Sequence, residues 1–285
     1  YFSIAAYPHI KGDNLSIQAQ VLANKAYEDA SSKSQYVFKQ LSVPYKGKTI
    51  QANLHLPHTE RPLPVIIVCG GLDSLQTDMW KLFLDYLAPN EFAMLTIDMP
   101  SMGKNSHWPL SEDTSVLHQA VLDYLPNVAY IDHWRVGLLG FRFGGNALIR
   151  LSFLAKDQVK ACVALGAPVH EILSSPQKLM SMPKMYLDVL ASRLGKSVVD
   201  IQSLTSQMSA WSLKKQGLLA TRRTSVPILA ISMEGDPISP HSDNQLVSIS
   251  SQYGKAMKIP AKNLSEGYHK CLNLSVKWLI DELKS

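Results

Sequence analysis

The pentapeptide Gly140-Phe141-Arg142-Phe143-Gly144 has the spacing of a G-x-S-x-G turn, with arginine where that turn carries its nucleophilic serine. Such glycines permit a sharp strand-to-helix bend that lifts the central side chain above a sheet. Two titratable residues follow in the order that acyl chemistry uses. Asp236 lies in Glu234-Gly235-Asp236-Pro237, after a buried strand, and His269 is expected in the loop before the last helix. Upstream, Gly70-Gly71-Leu72-Asp73 closes another buried strand. A backbone N–H from Gly71 or Leu72, with that of Phe143, would form an oxyanion hole that needs no side chain.

Arginine changes what this constellation can do. Acyl-enzyme catalysis needs a hydroxyl or thiol that a neighbouring base deprotonates. A guanidinium stays protonated at working pH and is no nucleophile. The Ser–His–Asp route is therefore closed at Arg142, and the anion-stabilising half of the site survives. A cation at a helix N-terminus is unfavourable by about 0.3–1 kcal/mol unless a carboxylate answers it. Asp73 is the first expected partner, Asp98 the second and Asp236 the third.

The surrounding elements suit such a site. An amphipathic helix is expected over 14–31, with Leu15, Ala19, Leu22 and Ala26 on one face and Gly12-Asp13 as its turn and cap. Alternating segments 37–43 and 50–56 flank Tyr45-Lys46-Gly47-Lys48 and read as a β-hairpin. The β-branched run 64–69 reads as a strand buried on both faces. Helix is expected over 78–87 and 114–125, and strand over 92–97 and 135–140. A helix to about Ala155 follows the turn, then strands over 159–165, 226–232 and 256–259 and an amphipathic helix over 272–283. Strands alternating with helices imply a parallel sheet with right-handed crossovers. With the turn, acid and histidine in this order, the pattern is that of an α/β-hydrolase fold, a mainly parallel sheet with helices on both faces. Its core would comprise 35–170 and 224–285, preceded by a helical segment, 1–34. Residues 171–223 are too long for a plain crossover and read as a helical cap. Met180, Met182, Met185 and Met208 would pack that cap or line an adaptable pocket under it.

Composition narrows the classes. In 285 residues, 46% are hydrophobic and 18% charged, an ordinary globular balance. The apolar run 65–69 is far too short to span a bilayer, and the first residues have no signal-peptide pattern. The chain opens on Tyr1 in helix-like sequence, which reads as a fragment with residues missing upstream. Cys69, Cys162 and Cys271 make an odd, unpaired set, as in a reduced cytoplasmic protein, with Cys162 on a buried strand. No spacing suggests a metal, and no cofactor is called for. The net charge of +5 is spread out, and its clusters Lys214-Lys215 and Arg222-Arg223 lack interleaved aromatics. That argues against nucleic acid and suits an anionic metabolite or an acidic protein partner.

The segments IAAYPHIKGD, CGGLDSLQTD, MLTIDMPSMG, GFRFGGN and MYLDVLASRLG resemble the FrsA family, fermentation/respiration switch proteins of enteric and vibrio-type bacteria. The resemblance runs from Tyr1 to about Ile259 and weakens between Pro260 and Tyr268. It implies a missing N-terminal region of helical character and a short-chain serine esterase activity. It also implies binding to the unphosphorylated glucose-specific enzyme IIA of the phosphotransferase system. Three readings follow. The first is an ester hydrolase in which His269, oriented by Asp236, activates water while Arg142 and the backbone donors hold the oxyanion. The second is a site where Arg142 grips a 2-oxo acid such as pyruvate and Asp73 donates a proton during cofactor-independent decarboxylation. The third is a non-catalytic switch in which Arg142 and Asp73 form a structural ion pair.

Overall fold

The computed structural model describes residues 14–284. Helix α1 (Asn14–Ser32) precedes the hairpin of β1 (Val37–Tyr45) and β2 (Lys48–Leu56). Then come β3 (Leu63–Cys69), a run of short helical turns over 76–90, β4 (Ala93–Ile97), α2 (Val116–Tyr124), β5 (Ile131–Phe141) and α3 (Phe143–Leu154). After β6 (Ala161–Leu165) lie four helices: α4 (Glu171–Ser174), α5 (Pro176–Met180), α6 (Lys184–Arg193) and α7 (Ile201–Ser209). The chain ends in β7 (Ile228–Met233), α8 (His241–Ile249), β8 (Lys255–Ile259) and α9 (Leu264–Lys284).

Among the described residues the strands form one eight-stranded sheet in the order β1-β2-β4-β3-β5-β6-β7-β8. β1 and β2 are antiparallel, β2 meets β4 antiparallel, and β4 through β8 run parallel. The hairpin closes at Lys46 and Gly47, both at positive φ, which matches the right-handed strand twist. β3, β4 and β6 are buried along their whole lengths, because helices cover both faces. One apolar layer packs α2, α3 and the helices after β6 on one face. A second packs α9 and the 76–90 turns on the other.

Several elements depart from their expected form. The Gly12-Asp13 cap lies outside the described residues, as do residues 1–13 of the expected N-terminal segment. In α1 the buried side chains are Ala19, Ala23, Tyr27 and Ser31, while Leu15 and Leu22 are 58% and 42% exposed. Tyr27 sets this rotation: its hydroxyl meets His55 Nε2 at 2.8 Å, and its ring packs edge-on against Phe38 and Trp80. The helix expected over 78–87 is a mixture of 3-10, α and π turns. The last helix begins at Leu264, eight residues before expected, because Asn263 Oδ1 accepts the Glu266 N–H and caps it. That extension changes the setting of His269.

Candidate active site

The turn after β5 has the geometry its glycines foretell. Arg142 sits at φ 51°, ψ −123°, between the last residue of β5 and the first of α3. Such a conformation costs a non-glycine residue roughly 1–3 kcal/mol, so the surroundings must impose it. They do so through the backbone. The Arg142 N–H donates to Leu165 O at 3.0 Å, and Arg142 O accepts the Gly145 N–H at 3.0 Å. A Cβ on Gly144 would come within 2.3 Å of Gly70 O, and one on Gly140 within 2.5 Å of Gly145 Cα. Only glycine lets the new helix start against the strand and against the loop after β3. Phe143 opens α3, so its N–H has no intrahelical acceptor and is available to an anion.

The Arg142 side chain crosses the end of β6. Its Nη1 donates to Asp236 Oδ2 at 2.5 Å and lies 3.4 Å from Gly166 O. Gly166, at φ +64°, makes the crossing possible, because a Cβ there would stand 2.7 Å from Nη1. The Asp236 side chain is 2% exposed, and its Oδ1 accepts the N–H groups of Ile238 and Ser239 at 2.9 and 3.1 Å. Asp236 is therefore the partner of Arg142, in place of Asp73 or Asp98. The open lane over Gly166 decides it.

Asp73 lies on the other side of Arg142. A Cβ on Gly71 would be 2.6 Å from Asp73 Oδ1 and 3.0 Å from Arg142 Cβ, so carboxylate and arginine stem flank the same glycine. The Gly71 N–H is taken by Ser74 Oγ at 2.9 Å, which removes it as an oxyanion donor and leaves Leu72 from that loop. Two residues of α6 complete the surround. Burial pushes the phenol pKa of Tyr186 up, with Arg142 pulling down and Asp73 and Asp236 pushing up. Arg193 Nε donates to Leu72 O at 3.0 Å.

His269 does not join this group. It is exposed on α9, and its ring stands 6.1 Å from that of Tyr268. Gly267 and Cys271, two positions to either side, are the ones that face the sheet. At 100° per residue, His269 points away from both. The expected His269–Asp236 contact is replaced by Arg142–Asp236. Sequence reasoning missed Gly166, Tyr186 and Arg193. The last two sit seven residues apart, on one face of α6, and that spacing was the available signal. Among the described residues, no three His, Cys, Asp or Glu side chains gather as a metal site, and no helix is long and apolar enough to cross a membrane.

A mainly parallel sheet with this turn at the C-terminal end of its strands defines an α/β-hydrolase fold. Solved structures agree on the fold. AbyA5 superposes with a TM-score of 0.79 at 19% identity, covering 99% of this chain and 81% of its own. The 2,6-dihydroxy-pseudo-oxynicotine hydrolase gives 0.81 at 18%, covering 98% and 78%. The thermostable carboxylesterase EstE1 gives 0.64 at 15%, covering 94% and 97%. The chain belongs to the FrsA-like esterase family, whose model matches residues 1–284. It is 64% identical over 282 residues to esterase FrsA of Vibrio parahaemolyticus serotype O3:K6 (strain RIMD 2210633), covering 99% of this chain and 68% of that protein. With the same coverages it is 46% identical over 285 residues to esterase FrsA of Yersinia pestis (strain Pestoides F). The chain spans about two thirds of the length of these relatives.

Proposed function

We propose that this chain hydrolyses short-chain carboxylic esters by direct attack of water, without an acyl-enzyme. The observation that carries the reading is the strained elbow that holds an arginine, paired with Asp236, beside the free N–H of a helix start. The family's esterase designation supports the reaction class. Asp73 takes the role of base in place of His269. Water attacks the carbonyl carbon and its proton passes to the Asp73 carboxylate. The carbonyl electron pair becomes an oxyanion facing Arg142, Phe143 N–H and Leu72 N–H. Collapse expels the alcohol, which recovers the proton from Asp73. Turnover of p-nitrophenyl butyrate should fall at least 100-fold in Arg142→Ala and Asp73→Asn and stay unchanged in His269→Ala. Undiminished turnover in Arg142→Ala would remove the reading.

One observation favours a second reading, in which the protein is a non-catalytic switch. Arg142 is already engaged by a buried carboxylate, as a structural ion pair would be. On this reading the partner is the unphosphorylated glucose-specific enzyme IIA, and the role lies in choosing fermentation or respiration. Equal affinity for both phosphorylation states of that partner would exclude it. The 2-oxo acid reading would use the Nε–Nη2 edge of Arg142, because Asp236 engages Nη1. We place the protein in the cytoplasm, where its three buried, unpaired thiols are stable.

A further inference from the structure

We infer that Arg193 is a positioning residue: it fastens helix α6 to the loop after β3 and thereby sets the oxyanion donor Leu72. This inference rests on the ester-hydrolysis reading. Two peptide planes of that loop are held by side chains, one from within the loop and one from α6. The Gly70–Gly71 plane is fixed by the bond from Gly71 N–H to Ser74 Oγ at 2.9 Å. The Leu72–Asp73 plane is fixed by the bond from Arg193 Nε to Leu72 O at 3.0 Å. Between them lies the plane whose N–H is that of Leu72. With both neighbours pinned, its direction follows. The second plane also carries the start of Asp73, so the same bond aims the base.

Arg193 is itself anchored. Its carbonyl accepts Ser101 Oγ at 2.8 Å, from the loop after β4. Ser101 stands at φ 72°, an orientation few serines adopt, and there its hydroxyl reaches α6. One residue at the end of α6 thus ties together the loops that follow β3 and β4. Asp73 and Asp98 both lie near enough to oppose the effect of burial on its guanidinium. Tyr186, two turns earlier on the same face of α6, lies near enough to Arg142 for the guanidinium to pull its phenol pKa down against burial. Seating α6 therefore brings the phenol to Arg142 and orders the oxyanion loop in one movement.

The test uses Arg193→Gln and Arg193→Lys in the full chain, with two readouts. Hydrogen exchange over 70–75 should accelerate at least tenfold in Arg193→Gln while exchange in β5 and β6 stays unchanged. The kcat for p-nitrophenyl butyrate should fall 10- to 100-fold with KM within a factor of two, because the oxyanion exists only beyond the ground state. Arg193→Lys keeps one donor and should recover part of both effects. Should Arg193→Gln fail to fold, Ser101→Ala loosens the same strap from its other end and should show the same pair of changes in smaller measure. Unchanged exchange over 70–75, or a rise in KM with kcat intact, would overturn the inference. Faster exchange over 70–75 in Arg193→Gln, together with full turnover in Arg142→Ala, would keep the strap and reject the ester site itself.

Discussion

Asp98 and Asp236 follow two strands at the same edge of the sheet, β4 and β7, and both carboxylates are withdrawn from water. Asp236 meets a guanidinium. Among the described residues the hydrogen bonds to Asp98 come from neutral donors: the Gln76 N–H at 2.6 Å, Gln76 Nε2 at 2.9 Å and the Lys104 N–H at 3.3 Å. Burial pushes the pKa of Asp98 up to about 6, against the lowering effect of those hydrogen bonds. Backbone hydrogen bonds can hold a buried carboxylate in place, but they do not replace an opposite charge. The difference separates two jobs. Asp98 staples loops: a Cβ on Gly103 would strike its Oδ2 at 2.2 Å, so the 98–104 loop wraps directly around it. Asp236 orients a cation at the one turn that faces the site.

The largest effect should come from breaking the charged member of this comparison. Asp236→Asn strands the Arg142 charge, and urea denaturation at pH 7 should show a loss of about 3 kcal/mol. Replacing both residues by leucine should recover most of that loss while abolishing ester turnover. Recovery of neither would show that Asp236 matters through its bonds to Ile238 and Ser239 instead.

The next effect is pH-dependent and has opposite signs for the two kinds of buried group. Asp98 has its folded pKa raised from 3.8 to about 6, so between those values the unfolded chain has already lost the proton that the folded chain keeps. Its contribution to stability falls as pH rises through that window, by up to roughly 1.4 kcal/mol per pH unit. Asp98→Asn should remove that term. Buried His118 behaves oppositely. Burial lowers its pKa from 6.5 to about 4, so stability falls as pH drops from 6.5 towards 4, at the same rate per unit. Neither of its ring nitrogens has a hydrogen-bond partner among the described residues. His118→Leu should therefore be neutral or stabilising at pH 7 and should reduce the acid loss between pH 6.5 and 4. A melting-temperature series against pH checks both variants, and unchanged slopes would contradict the burial argument.

The smallest effect probes the lane over β6. Gly166→Ala should cost about 1 kcal/mol for the positive φ and should push the guanidinium off Asp236. Its turnover should then fall further than its stability. A variant that loses stability but keeps full turnover would show that the Arg142–Asp236 contact is not what the site needs.

The sequence disclosed what local spacing controls. Gly140 and Gly144 announced the elbow because close backbone approach admits no other residue there. Lys46-Gly47 announced the hairpin, and β-branched runs announced the central strands. Contacts that depend on direction across the fold were not legible. Spacing along the chain favours Asp73 over Asp236 as partner of Arg142, because the route over Gly166 exists only once β5, β6 and β7 lie side by side. The expected loop around His269 overlooks Asn263 and Glu266, which carry the three-residue spacing of a helix cap. Starting α9 at that cap turns His269 to solvent. In α1, leucines marked the apolar face on paper, while Tyr27 and its bond to His55 chose the buried one.

The central claim is that ester chemistry at the elbow proceeds without a covalent intermediate. Pre-steady-state hydrolysis of p-nitrophenyl butyrate, with the protein's intact mass followed through the first turnovers, tests it most directly. The account predicts linear release of p-nitrophenol from the start, no mass gain of an acyl group, and no labelling by a serine-directed phosphonate. A stoichiometric burst with an acylated serine, such as Ser101 or Ser239, would contradict it and move the nucleophile to a residue outside the elbow.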